Sequence, residues 1–143
     1  MLISEEEPEN NTGLIKKLVG KTFQKEVVYS KENYVVVFYE DSEEKNLKTT
    51  QKLFELVNIQ LQGNSTEPQT KLKFGEIDMI KNEVQYRSFM KYPQILLYMK
   101  GKKARPTEFD LPFTPKAFIA WLNVISRDIL SLNLSSRTSQ NLD

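Results

Sequence analysis

The sequence contains no cysteine and no histidine. Without cysteine, the chain can form no disulfide, no thiolate nucleophile and no zinc–thiolate site. Without histidine, it also lacks the side chain that most often serves as a base near neutral pH and as a metal ligand. We therefore predict that the chain is not an enzyme, with thiol–disulfide exchange excluded by the lack of cysteine, and that it binds no cofactor.

The sequence also lacks a strong net charge and a long apolar run. Its 20 basic and 19 acidic residues leave a net charge of +1, so no overall field attracts nucleic acid or an anionic membrane. No apolar run approaches the roughly 20 residues that a membrane-spanning helix needs. We predict no nucleic-acid binding and no membrane insertion, and the composition gives no indication of oligomeric state.

The two ends of the chain differ in composition from its middle. Residues 1–13 are acidic and polar, which predicts a poorly ordered leader. Residues 131–143 are rich in serine and threonine, which predicts a flexible C-terminal tail. We expect one globular domain over residues 14–130, because a chain of 143 residues is typical of a single core.

Strand and helix patterns alternate between the predicted tails. Val35–Tyr39 is an unbroken run of β-branched and aromatic residues, as in a strand that is buried on both faces of a sheet. Thr114 is a suitable N-cap for a last helix that has Pro115 at its first position. Asn82 is a suitable N-cap for a short helix that carries Val84 and Phe89. This alternating order predicts an α/β fold. The other predicted elements are strands at 15–19, 71–77, 94–99 and 107–109, and helices that begin near residues 20 and 42.

Several short stretches occur in an order and at spacings that match one known family. They are Leu18–Phe23, Val35–Tyr39, Gly75–Asp78, Asn82–Val84, Tyr92-Pro93, Gly101–Lys103 and Thr107–Phe109. From Leu18 to Ile125 the chain resembles a catalytic-type domain of the protein disulfide isomerase family, most of all its C-terminal one. The resemblance implies a thioredoxin-like α/β fold, in which helices flank a central mixed β-sheet on both faces.

The resemblance also implies that the groups used for thiol–disulfide exchange are all missing. The two cysteines of the C-x-x-C motif align with Glu43 and Asn46. The buried proton acceptor of the family aligns with Val37, and its assisting arginine aligns with Phe113. Because a thiolate must attack the substrate disulfide, a chain without any thiol cannot perform this exchange. We predict a redox-inactive domain.

An acidic cluster lies around the predicted start of the second helix and consists of Glu40, Asp41, Glu43 and Glu44. Carboxylates are favoured there by the free amide groups and by the helix dipole. A weak divalent-cation site or an acid–base pair would be the functional alternatives. The cluster lacks the D-x-D-x-D-G pattern of a tight calcium loop, so we favour helix capping and solvation and predict no metal site.

Tyr92-Pro93 aligns with the cis-proline corner of the family. The backbone that precedes such a proline can pair with an extended peptide. We therefore take Tyr39, Tyr92, Pro93 and Phe113 as candidate peptide-binding residues. Each aromatic side chain among them can equally be an ordinary core or surface residue.

The leading functional hypothesis is a redox-inactive domain of a protein disulfide isomerase-like protein. It would act in protein folding, with a chaperone-like role, by binding unfolded polypeptide or by positioning neighbouring domains. The alternative is a cytosolic thioredoxin-like adaptor that docks onto a partner protein.

The location of the protein is predicted from two opposing signals. N-glycosylation sequons begin at Asn10, Asn64 and Asn133, and together with the family resemblance they favour a glycoprotein of the endoplasmic reticulum lumen. The residues that follow Met1 do not form a signal peptide, which favours the cytoplasm. We favour a lumenal domain excised from a longer precursor.

Overall fold

The computed structural model describes residues 2–40, 44–62 and 72–125, with the side chains of 47–59 in the middle range. Five strands form one mixed sheet. The strands are β1 (Ile15–Lys17), β2 (Asn33–Tyr39), β3 (Leu72–Asp78), β4 (Gln94–Tyr98) and β5 (Thr107–Phe109). The helices are α1 (Gly20–Phe23), which continues as a π-helical turn over Gln24–Val28, then α2 (Glu44–Gln62) and α3 (Pro115–Ile125).

The spatial order of the strands is β1-β3-β2-β4-β5. The first three in this order are parallel, and β4 and β5 are antiparallel to their neighbours. All seven residues of β2 are buried, as its uninterrupted apolar sequence predicts for a central strand. The observed strands lie within one or two residues of the predicted ones. The sheet is thus mixed, and the strand prediction is confirmed.

Alternate residues of β2 contribute to two separate hydrophobic clusters. Val35 and Val37 face the cluster that contains the buried faces of α2 and α3, including Phe54 and Phe118. Tyr34, Val36 and Phe38 face the cluster that contains buried residues of α1 and of the π-helical turn. Since side chains alternate between the two faces of a strand, the sheet separates the clusters and carries helices on both sides. This arrangement matches the predicted architecture.

The segment before β1, for which the composition predicts poor order, makes specific contacts with the domain. The amide of Ile3 donates to Glu83 Oε1, and the Glu83 amide donates to the Ile3 carbonyl in return. The Lys21 amide donates to Ser4 Oγ at the start of α1. The structure therefore places this segment against the domain rather than apart from it. The predicted tail over 131–143 lies outside the described residues.

The segment between β3 and β4 differs from the prediction, because it contains no helix. It forms turns and an isolated bridge between Val84 and Arg87, and Tyr86 between them has a φ of 65°. The side chain of Asn82 does not cap a helix there. Its Oδ1 accepts from the Gly20 amide and its Nδ2 donates to the Asp78 carbonyl, so its hydrogen-bonding capacity is used for tertiary contacts. The prediction of a helix capped by Asn82 is wrong for this reason.

Candidate functional site

The peptide bond between Tyr92 and Pro93 is cis and lies at the end of the sheet where β2 ends. In the register of β2 and β4, Phe38 pairs with Gln94, so Pro93 is adjacent to the carboxyl end of the central strand. Helix α2 follows that end of β2 along the chain. The resemblance therefore predicts a binding site at this end of the sheet, which we call this pole of the domain.

A groove of about 510 Å³ opens at this pole. Three of the four candidate peptide-binding residues, Tyr92, Pro93 and Phe113, line it together. Leu111, which is 43% exposed, lies on the same rim as Phe113. The groove thus combines an apolar lining with access from solvent. Its other lining residues are Thr49, Lys91, Gln94, Glu108, Phe109 and Asp110.

The two aromatic walls of the groove are held by opposite sides of the core. The ring of Tyr92 contacts Phe89 edge-on, with centroids 5.8 Å apart, and Phe89 packs on Phe38 at 5.0 Å. On the other wall, Phe113 packs on Phe109 with centroids 5.7 Å apart. Ring contacts of this kind add to the stabilisation that burial provides. Phe113 is therefore supported by the buried Phe109, and Tyr92 is linked to the buried Phe38 through the half-buried Phe89.

Charged side chains of both signs surround the apolar lining. Lys91 lies beside the Tyr92 wall, and Glu108 and Asp110 lie where β5 leads into the loop that carries Leu111. All three side chains are exposed. The lining of the groove thus combines apolar side chains with charged side chains of both signs.

Tyr39 is placed differently from the other candidates. It is 7% exposed and is not among the residues that line the groove. Its carbonyl oxygen accepts a hydrogen bond from the Met79 amide at 2.7 Å, which ties the end of β2 to the turn after β3. Among the described residues, Tyr39 thus holds the end of β2 in place and presents little of its side chain to solvent.

The positions that the resemblance assigns to lost redox groups are placed as follows. Val37 is fully buried in the apolar cluster beneath α2, so no proton acceptor is present at this position. Phe113, at the arginine position, is a wall of the groove. Asn46 lies in the first turn of α2, and its side chain is outside the described residues. Asp41 and Glu43 lie outside them altogether, and the side chain of Glu44 is outside them as well. Among the described residues, no group of three or more acidic side chains is arranged to hold a metal ion.

Glu76 is a half-buried carboxylate on the strand beside Val37, with which it pairs in the register of β2 and β3. Burial raises its pKa, although a hydrogen bond from Gln51 Nε2 and the charge of Lys17 oppose this shift. A folded-state pKa above the unfolded one means that stability is highest when Glu76 is protonated. That contribution is complete below the ordinary carboxyl pKa and is lost as the pH rises through the raised value.

We therefore expect Glu76→Gln to stabilise the domain at neutral pH, by less than about 1 kcal/mol because the carboxylate is partly solvated. The Gln side chain keeps an oxygen that can accept from Gln51. Melting temperatures measured across the acid range should show the advantage of the variant shrinking towards low pH. Glu108→Gln, at an exposed strand position, is the control for a change of net charge. A constant difference between Glu76→Gln and the parent at all pH values would contradict this assignment.

The sequon that begins at Asn10 lies within the described residues, whereas those at Asn64 and Asn133 do not. Asn10 is exposed, and the hydroxyl of Thr12 donates to its Oδ1 at 3.1 Å. The acceptor side chain is therefore accessible on the surface. In the described ranges, no helix has both the length and the apolar character required to cross a membrane.

Comparisons with known proteins identify the fold of the domain. No family model and no curated protein matches the chain. Among solved structures, it is similar to one described as "Crystal structure of Trx4 domain of ERdj5", with a TM-score of 0.58 and 18% sequence identity. The match covers 81% of this chain and 98% of that chain. The fold is thioredoxin-like.

The thioredoxin-like domain has groove residues that sequence reasoning did not select. Thr49 comes from the exposed side of α2, and Leu111 comes from the loop before α3. An isolated threonine on a helix does not indicate a binding site. The stretch Leu111-Pro112-Phe113 does indicate one, because three apolar residues directly before a helix cap are unusual on a solvent-exposed loop.

Proposed function

We propose that this chain is a redox-inactive thioredoxin-like domain of a protein disulfide isomerase-like protein, and that it binds extended, unfolded polypeptide in the groove between Tyr92 and Phe113. The observation that carries the proposal is that three residues selected from the sequence, Tyr92, Pro93 and Phe113, line one open groove. Because the chain has no thiol, the groove cannot perform thiol–disulfide exchange, and we propose binding as its activity.

The composition of the groove supports polypeptide as the ligand class. Its apolar walls can accept side chains that a folded protein buries, and its rim supplies Thr49, Lys91 and two carboxylates for polar contacts. Binding sites of this mixed character recognise main chain and side chains at the same time. A weak, sequence-tolerant interaction is expected, because an unfolded chain loses conformational freedom when it binds.

The test is a titration of the domain with a fluorescently labelled polypeptide that is kept unfolded by reduction and alkylation. We expect saturable binding in anisotropy measurements, and an affinity weakened about threefold to tenfold in Leu111→Ser through loss of apolar contact. The matched control is Leu14→Ser, since Leu14 is 40% exposed and lies before β1, outside the groove. Absence of saturable binding, or equal weakening by both variants, would overturn the proposal.

The alternative role is that of a cytosolic thioredoxin-like adaptor that docks onto a partner protein. The two roles predict different fates for the exposed Asn10 in the cell. For a lumenal domain we expect glycosidase treatment to increase electrophoretic mobility and Asn10→Gln to remove part of that shift. A protein that shows no glycan and fractionates with the cytosol would support the adaptor role.

A further inference from the structure

A second cavity of about 440 Å³ lies beside the peptide groove, between α2 and the start of α3. Its apolar surface comes from Leu53, Leu56, Phe113 and Pro115. Leu53 is buried to 2% exposure and belongs to the core cluster, whereas Leu56 is only half-buried. Leu53 thus joins the apolar lining of the cavity to the core, and Leu56 exposes part of that lining to solvent.

The two cavities are adjacent to each other. Phe113 and Thr49 line both of them, so the Phe113 side chain forms a shared wall. On α2, Thr49, Lys52 and Leu56 lie at positions i, i+3 and i+7, which places them on one face of the helix. A polypeptide that lies along Tyr92 and Phe113 would therefore meet this face of α2 if it continued past the shared wall.

The charge at the second cavity is of one sign. Lys48 and Lys52 line it at positions i and i+4 of α2, and no acidic side chain is among the described residues that line it. Lys52 is exposed, so its ammonium group is accessible to a ligand. This differs from the first groove, where Lys91 is accompanied by Glu108 and Asp110. The second cavity is thus complementary to an acidic group next to an apolar one.

We propose that the second cavity is a specificity subsite, which takes a large apolar side chain of the bound polypeptide and pairs an adjacent acidic residue with Lys52. The inference rests on the proposed function and defines its preferred substrate: an extended segment in which a large apolar residue is next to Asp or Glu. The apolar side chain contacts Leu56 and Phe113, and the carboxylate lies over the basic edge of α2.

The test uses three labelled peptides in a Gly-Ser background. The first contains a Leu-Asp-Asp segment, the second replaces the leucine with serine, and the third replaces both aspartates with lysine. We expect the first peptide to bind about tenfold more tightly than the second through apolar burial. We expect it to bind about threefold more tightly than the third, because an exposed ion pair contributes little.

Two variants test whether these peptide preferences arise at the second cavity. Leu56→Gln should abolish most of the preference for leucine, and its control is Ile59→Gln, since Ile59 lies on the same helix, is 59% exposed and does not line the cavity. Lys52→Glu should reverse the preference between the aspartate and lysine peptides. Its control is Lys25→Glu, at an exposed position of the π-helical turn. Because Lys52 is exposed, this variant keeps the test valid even if Leu56→Gln fails to fold.

The possible results separate this inference from the proposed function. If unfolded polypeptide binds and Leu111→Ser weakens it, but the preferences are unchanged in Leu56→Gln and Lys52→Glu, the subsite is overturned and the peptide groove stands. If neither the unfolded polypeptide nor any of the peptides binds, both proposals are overturned. Loss of the leucine preference in Leu56→Gln together with charge reversal in Lys52→Glu supports the subsite.

Discussion

Asn82→Ala is expected to lower the free energy of unfolding by about 3 kcal/mol, since it leaves buried backbone groups without partners. The side chain is 1% exposed. Its Oδ1 accepts from the amides of Glu5 and Gly20, both at 2.9 Å. Its Nδ2 donates to Glu5 Oε1 at 2.8 Å and to the Asp78 carbonyl at 3.0 Å. Removing the amide therefore breaks the links between the N-terminal segment, α1 and the end of β3 at once.

Urea unfolding followed by tryptophan fluorescence and circular dichroism would measure this loss. Asn10→Ala is the matched control, because Asn10 is an exposed asparagine and should change stability by less than about 0.5 kcal/mol. Asn82→Asp should destabilise the domain at least as much as Asn82→Ala, because the new buried carboxylate would face Glu5 Oε1 and the Asp78 carbonyl oxygen. An unfolding midpoint for Asn82→Ala equal to that of the control would contradict the role we assign to this side chain.

Gly75→Ala is expected to destabilise the domain by about 2 to 3 kcal/mol through overpacking. Gly75 lies in β3, and a Cβ added there would lie 2.5 Å from Leu18 Cδ1 and 3.1 Å from Tyr34 Cε1. Both neighbours belong to the buried cluster beneath α1 and have almost no exposed surface. They cannot rotate into solvent, so the added methyl group must displace packed side chains.

The control for this variant is Gly13→Ala, where an added Cβ would have no atom within 4 Å. It should be close to neutral and could be slightly stabilising, because alanine restricts the unfolded chain. Thermal melts of the two variants side by side would separate overpacking from the general effect of losing a glycine. Equal melting temperatures for both variants would contradict the prediction, because they would show that the side chains around Leu18 accommodate the added methyl group.

The sequence predicted the central strands well because their signal is local. The run Val35–Tyr39 contains only residues that favour a buried strand, and the structure contains β2 over Asn33–Tyr39. The start of the last helix was equally predictable, because Thr114 and Pro115 are two helix-start signals at adjacent positions. In the structure the Ala117 amide donates to Thr114 Oγ1, as expected of an N-cap. Patterns that are decided by neighbouring residues can be read without tertiary information.

The region after Asn82 was predicted incorrectly because its structure depends on distant partners. An asparagine followed by apolar residues resembles a capped helix when only the local sequence is considered. In the folded domain the same amide binds Glu5 and Gly20, which lie far away along the chain. Tertiary hydrogen bonds here outweigh a weak local preference, as they commonly do for short segments.

The candidate site was predictable only in part for a related reason. The family resemblance pointed to Tyr92, Pro93 and Phe113, and the structure brings these three into one groove. It also pointed to Tyr39, whose buried position follows from its place at the end of a central strand. A resemblance can assign residues to an end of the sheet, but the partition between core and surface at that end depends on how the connecting loops pack.

The shared strand between the two hydrophobic clusters has a consequence for how the domain unfolds. Because the residues of β2 from Tyr34 to Phe38 belong alternately to the two clusters, neither face can melt while the opposite face keeps its native sheet. The domain should therefore behave as a single cooperative unit in equilibrium unfolding. Trp121, which packs on the α2 and α3 side, would then report the loss of Asn82 or the crowding at Gly75 on the far side of the sheet.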